Sequence, residues 1–386
     1  MKIVDICAFY TPRGGGVRTY VDRKLKALSA AGHEVVVIAP GREAREEARP
    51  EGGRIRWVPA PVFPLDRNYR YFSRAEPVHA LLDAEQPDVI EASSPWRAAS
   101  IAATWRGPAT RALVMHADPM AAHAYRILGP IADRELIDRG CEPYWRHLRR
   151  MDDAFDVVVS AGRSLTARLR AGGLGKVATV PMGVDPGLFS PDLRDEALRG
   201  RLLALCDLDS RATLFLGVGR LGAEKRWEMV AAAATVAAAR EPVGLVIVGD
   251  GKARRQIERA IGANPHIRLL GPIGDRPFLA RLMASCDALI HGCEAETFCF
   301  AAAEAKASGL PIIVPDEGGA ADHADDGESR RYRAGDPADA ARAMLDFVRK
   351  ARTGPALPAP RIRTMDDHFR DLVHLYASVR RLALAA

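Results

Sequence analysis

Along the chain, short apolar runs bounded by turn residues alternate with stretches whose apolar positions recur every three or four residues. The runs fall at 3–8, 34–39, 55–59, 89–92, 112–116, 157–160 and 177–180, then at 213–218, 245–248, 267–270, 288–291 and 312–314. Runs this short, rich in Val, Ile and Leu and separated by helical patterns, predict parallel strands covered on both faces by crossover helices. Asp5 stands inside the first run, which nonetheless reads as a buried strand and leaves no room for a secretory signal. The series occurs twice, and 386 residues exceed one ordinary core. The expectation is an α/β protein of two Rossmann-like halves, 1–185 and 186–365. A Pro-rich connection at 353–360 leads to a last amphipathic helix at 366–386.

In open α/β sheets, ligands gather beyond the carboxyl ends of the strands. The most informative such place follows the run at 288–291, where the chain reads CEAETFCFAAAEAKASG from Cys293 to Gly309. The alanines predict a helix, Thr297 is a good N-cap, and Gly309 with Pro311 stops it. A helix opening there turns the N–H groups of Phe298, Cys299 and Phe300 toward an anion such as phosphate. Two carboxylates frame that seat: Glu296 just before the helix, and Glu304 roughly 10 Å from Thr297 at ~1.5 Å per residue. Carboxylates accept hydrogen bonds from adjacent hydroxyls. Phosphate between two such groups suits a nucleotide-sugar, with Glu304 on the ribose and Glu296 on the sugar.

Composition narrows the picture further. The chain is 48% hydrophobic and 27% charged, which excludes disordered and fibrous classes. Its net charge of +6 admits an anionic partner. Nucleic acid is excluded by 6% aromatics and the lack of any helix-turn-helix, zinc or RNA-binding signature. Segments 67–74 and 125–150 mix Arg with Tyr, Trp and Leu, a composition suited to an anionic membrane surface and to a lipid-linked acceptor. No apolar run reaches the ~20 residues a membrane span needs. The six cysteines form no C-x-x-C pair, which fits reduced thiols in a cytoplasmic protein. Asp207-Leu-Asp209 has the letters of a metal motif but falls near the boundary between the halves, so no metal and no cofactor are expected.

Three further loops follow strands. Gly14-Gly15-Gly16 comes after the first, where the absence of Cβ atoms lets backbone approach a ligand. His116 ends the fifth, and Glu91, Ser93 and Ser94 at the end of the fourth are placed on an acceptor side. In FLGVGRLGAEKRWEMV, Arg220 and Lys225 stand past a strand, able to neutralise a diphosphate and the charge that grows as a sugar–phosphate bond breaks.

E-x7-E followed by A-x-A-x-G, together with VGRL-x-x-x-K, VGDGK, LLGPI, the Gly318-Gly319 loop and VPMGVDPGLF, resembles the motif series of retaining GT-B glycosyltransferases, family 4 in particular. The resemblance runs from Gly14 to Tyr376. It implies two Rossmann-like domains facing each other across a cleft, with the last helix returning to the first. It implies transfer of a hexose from UDP-hexose or GDP-mannose to an acceptor hydroxyl with retention, without metal. It places Gly15 and Gly16 against donor phosphate, His116 on the donor sugar, Arg220 and Lys225 on the diphosphate. Around the donor it sets Glu296, Thr297, Phe298, Cys299, Phe300, Glu304 and Gly319. The sequence departs from the pattern at Met182 for Asn, Arg226 for Gly, His291-Gly292 for Pro-Ser, and Cys299 for Gly. These departures support a rival expectation, a nucleotide-sugar-binding subunit of the same fold with impaired catalysis.

Overall fold

The computed structural model describes residues 1–11, 16–64, 66–325, 327–351 and 362–385. It divides into two compact units: Met1–Asp118, Leu128–Pro181 and Met365–Ala386 form the first, Pro119–Ile127 and Met182–Thr364 the second.

The first unit is built on an eight-stranded sheet. Its strands are β1 (Lys2–Ile6), β2 (Glu34–Gly41), β3 (Arg45–Ala48), β4 (Arg54–Pro59), β5 (Val89–Ala92), β6 (Thr110–Met115), β7 (Val157–Ser160) and β8 (Val177–Thr179). They lie in the order β3-β4-β2-β1-β5-β6-β7-β8. All pairings are parallel except β3 with β4. The Val and Ile side chains of β1, β2 and β5 are sealed from solvent, as expected of strands covered by helices on both faces. The C-terminal helix Met365–Ala385 belongs to this unit and buries Phe369, Leu372 and Tyr376 in it.

The second unit carries β9 (Thr213–Val218), β10 (Val243–Val248), β11 (Ile267–Gly271), β12 (Ala288–Ile290), β13 (Ile312–Pro315) and β14 (Arg330–Tyr332). The order is β11-β10-β9-β12-β13-β14, parallel throughout. Trp227, Phe215, Ile247, Ile257, Met344 and Tyr332 centre its core.

Strand order reverses direction between β1 and β5 in the first unit and between β9 and β12 in the second. Crossovers leave on opposite faces at such a point, opening a crevice at the carboxyl ends of the two strands. In the second unit this crevice receives the loops that start at Gly219 and His291.

The twelve strands expected from hydrophobic runs are present, with ends displaced by a residue or two. Two strands were not anticipated. β3 is REEA, largely solvent-exposed, and β14 is RRY, so neither carries an apolar run. Both form because a neighbouring strand, β4 or β13, presents unpaired backbone groups.

Candidate functional site

The loop from Gly219 to Arg226 leaves β9 and enters the helix Trp227–Ala238. Trp227 pins it: the indole is fully buried and donates to the Arg220 carbonyl at 3.0 Å. The following strand's VGDG turn packs against the same loop. Leu221 N–H reaches the Asp250 carbonyl at 2.9 Å, and a Cβ on Gly249 would fall 1.9 Å from the Gly219 oxygen, so only glycine fits. Within this frame Arg220 and Lys225 meet opposite environments. The Arg220 side chain is 80% exposed and, among the described residues, its ion-pair partner is Glu224, at 2.9 Å. Lys225 is 12% exposed, with its ammonium directly on the Glu296 carboxylate.

Glu296 comes from the loop after β12, across the β9/β12 crevice. Burial opposes its ionisation, and the Lys225 charge outweighs burial, holding the carboxyl well below the usual range. Burial likewise opposes the charged form of Lys225, and Glu296 more than offsets it, so the ammonium is held above the ordinary lysine value. The pair is therefore a fixed ion pair near neutral pH. Gly318 and Gly319 lock the Glu296 loop from below. Gly319 N–H donates to the Glu296 carbonyl at 2.6 Å, and a Cβ on Gly319 would lie 2.5 Å from the Phe298 nitrogen.

The helix opens later than the sequence suggested. It spans Phe300–Ala307, its N-cap is Cys299, and Thr297 does not cap it. The alanines gave the helix but not its first residue, because backbone geometry at 299 decides where the turn begins. The first intrahelical bonds run from Ala302 and Ala303 to the Cys299 carbonyl, so the anion-directed N–H groups of the helix are those of Phe300, as expected, and Ala301, while Phe298 and Cys299 precede it. Glu304 accordingly stands just past one helical turn. It is buried and paired with Arg276 at 2.6 Å, whose guanidinium also lies over the Phe189 ring. Phe298 and Phe300 meet edge to face, ring centres 5.2 Å apart.

Cys299 and Arg226, two residues standing where the resembled pattern has glycine, both adopt left-handed backbone, φ 68° and 50°. For side-chain-bearing residues this conformation is strained by roughly 1–2 kcal/mol. Arg226 gains a compensating contact: its Nε lies 2.9 Å and 3.0 Å from the two carboxylate oxygens of Glu294. The sequence gave no reason to select Glu294 or Arg276, since their partners lie 68 and 28 residues away. Cys299 is buried, and burial raises its thiol well above the ordinary value. Among the described residues, His291, Glu296 and Cys299 bring one potential metal ligand each within 4.8 Å of one another. The Glu296 carboxylate of that trio is already held by Lys225.

In the first unit, Gly16 opens the helix Gly16–Ala30, with open space where a Cβ would be. Gly15 lies outside the described residues. His116 follows β6, half-buried and edge-on to Tyr20 at 4.8 Å; Tyr20 in turn bonds His368 of the C-terminal helix at 3.0 Å. Burial lowers the His116 pKa from 6.5 to about 4, so the ring is neutral. Asp118 pairs with Arg168. Glu91 corrects an expectation: it lines no acceptor surface. It is fully buried beside Lys24, which also holds Asp5, while Tyr376 donates to Glu91 at 2.7 Å and Ser93 to Asp5 at 2.8 Å. A strand-end acid signals either a site or a sealed ion network, and only Lys24, from a helix 67 residues earlier, distinguishes them.

Residues 14–188 match the family Glycosyltransferase Family 4, and residues 212–350 match Glycosyl transferases group 1. The chain is 32% identical over 331 residues to a GDP-mannose-dependent alpha-mannosyltransferase of Mycobacterium tuberculosis, covering 83% of this chain and 81% of that one. It is 30% identical to a GDP-mannose-dependent alpha-(1-6)-phosphatidylinositol dimannoside mannosyltransferase from the same species, covering 81% and 79%. Among solved structures it resembles sucrose-phosphate synthase from Thermosynechococcus elongatus, with a TM-score of 0.68 at 18% identity, covering 99% and 96%. It also resembles Anabaena HepE in complex with UDP, with a TM-score of 0.66 at 16% identity, covering 100% and 99%. Two largely parallel α/β sheets, each with its crevice at a reversal of strand order, and a likeness to mannosyltransferases over four-fifths of the chain together identify the protein as a GT-B glycosyltransferase of family 4.

Proposed function

We propose that this glycosyltransferase moves a mannosyl group from GDP-mannose to a hydroxyl of a lipid-linked acceptor, with retention of configuration. The observation that carries the reading is the Lys225–Glu296 ion pair at the β9/β12 crevice, beside the N-terminus of the Phe300–Ala307 helix. A diphosphate seated on the Phe300 and Ala301 N–H groups would draw Lys225 and the exposed Arg220 to its oxygens. Glu296, released from part of that pairing, would accept from the sugar hydroxyls. The C1–O bond to the β-phosphate breaks, the acceptor oxygen bonds C1 on the same face, and its proton passes to the departing phosphate oxygen. Arg220 and Lys225 stabilise the charge that develops on that phosphate. Glu304 would reach the ribose in exchange for part of its pairing with Arg276. No resident metal is invoked, because Lys225 and Arg220, once drawn to the diphosphate, would supply the positive charge at the leaving group. The relatives' dependence on GDP-mannose and the phosphatidylinositol dimannoside named for one of them support the donor and acceptor classes. Among the described residues no helix is long and apolar enough to cross a membrane, which accords with peripheral attachment at an anionic inner surface.

The test is direct. Purified protein incubated with GDP-mannose and a short-chain phosphatidylinositol mannoside should yield an α-linked product by NMR. A β-linked product would refute retention. Tight GDP-mannose binding with no turnover would favour the non-catalytic binding subunit, the reading suggested by the strained Cys299 and Arg226.

A further inference from the structure

Four charged side chains meet where the loop after β9 faces the loop after β12. Lys225 and Arg226 stand in succession on the first, and Glu294 and Glu296 stand one residue apart on the second. Two cations and two acids can pair in either of two ways. The structure holds one of them, Lys225 with Glu296 and Arg226 with Glu294. Arg226 takes Glu294 as a fork: its Nε lies 2.9 Å and 3.0 Å from the two carboxylate oxygens, and its Nη2 sits directly on Oε1. A lysine ammonium is a point charge that suits either acid, whereas the planar fork engages both oxygens of one.

The backbone of the two loops is pinned, so the choice of partner falls to the side chains. A Cβ on Gly292 would lie 2.5 Å from the Lys225 carbonyl oxygen, and one on Gly318 would lie 2.2 Å from the Glu294 carbonyl oxygen. Tyr332, buried at the end of β14, donates to the His291 carbonyl at 2.6 Å. The Glu294 side chain is 9% exposed, and a carboxylate so enclosed requires a cation. Without Arg226, the next cation on the facing loop is Lys225. Arg226 keeps its place against strain, with left-handed backbone at φ 50° and ψ 37° that a glycine would adopt freely. Glycine is what the resembled pattern carries there, so the strain points to a task for the side chain.

We propose that Arg226 is a positioning residue for the transfer: by occupying Glu294 it reserves Lys225 for Glu296 and, in turn, for the leaving diphosphate. The assignment rests on the transferase reading and deepens it, because it names what keeps the diphosphate-binding ammonium in register.

The experiment compares full-length wild type with Arg226→Gly, Arg226→Gly/Glu294→Gln and Arg226→Lys. It reads GDP affinity by calorimetry, mannosyl transfer from GDP-mannose, and melting temperature. Arg226→Gly relieves the backbone and leaves Glu294 to draw Lys225 away, so GDP affinity should fall about tenfold and turnover about 10²-fold. Removing the rival charge in the double variant should return GDP affinity to within about threefold of wild type. Arg226→Lys keeps the charge without the fork and should fall between. A double variant that loses as much GDP affinity as Arg226→Gly would overturn the proposal, since a clamp that only joins the loops is lost in both. Wild-type affinity and turnover in Arg226→Gly would overturn it as well. If wild type binds GDP but transfers nothing, the transferase reading fails alone, and the GDP titrations still decide the role of Arg226.

Discussion

Two lysines stand at corresponding places, each reaching the point where its sheet reverses strand order. Lys24 is wholly enclosed at 0% exposure, between Asp5 of β1 and Glu91 of β5, and Tyr376 of the last helix closes over Glu91. Lys225 meets Glu296, whose side chain is 26% exposed. The chemistry of the contacts is alike; the closure is not. In the first unit, each acid has a second partner, from Ser93 and Tyr376, so the network is satisfied within the protein. In the second, Glu296 stays partly exposed next to a helix N-terminus, where the proposed donor would compete for both partners. On that proposal a closed network holds its fold together, while an open one exchanges its partners for substrate.

The sharpest way to break the comparison is to remove each ammonium. Lys24→Met leaves two carboxylates buried together without compensation, which should destabilise the first unit by about 3–5 kcal/mol, read from urea unfolding. Adding Glu91→Gln should recover part of that loss. Stability unchanged in Lys24→Met would show that the network does not bind the unit. Lys225→Met should melt close to wild type and lose transfer by about 10²–10³-fold, the scale seen when one donor to a developing anion is removed. If it lost stability in place of turnover, the two lysines would play the same part.

A smaller effect sharpens the contrast through pH. His116 has a native pKa of about 4 against 6.5 in the unfolded chain, because burial disfavours its charged form. Between those values the unfolded state binds a proton that the native state does not. Stability therefore falls as pH drops from about 6.5 to 4, by at most about 3.4 kcal/mol at ~1.36 kcal/mol per pKa unit. His116→Phe should flatten that part of a melting-temperature profile. A slope identical to wild type would show that His116 titrates alike in the native and unfolded chain, so that burial does not lower its pKa.

The same contrast explains what could be read in advance. Strands such as Val35–Ala39 and Leu245–Val248 announced themselves because both faces are buried and every position is apolar. β3 and β14 did not, since a neighbour's hydrogen bonds alone create them. The order VGRL-x-x-x-K then E-x7-E placed Lys225 and Glu296 correctly on loops after strands. It said nothing of their joining, or of Arg220 standing 80% exposed toward solvent. Glu91 and Glu296, both strand-end acids in the text of the chain, parted only when one met Lys24 and Tyr376 and the other met an opening.

By itself the sequence determined the fold class, the count of apolar strands and which loops bear charge, because hydrophobic period and turn chemistry act over neighbouring residues. The tertiary structure alone decided which charges are sealed and which stay open, where the Phe300–Ala307 helix begins, and that Arg226 takes Glu294 while Lys225 takes Glu296. Those outcomes depend on side chains brought together across tens to hundreds of residues, and desolvation, which sets their chemistry, exists only after the chain has closed around them.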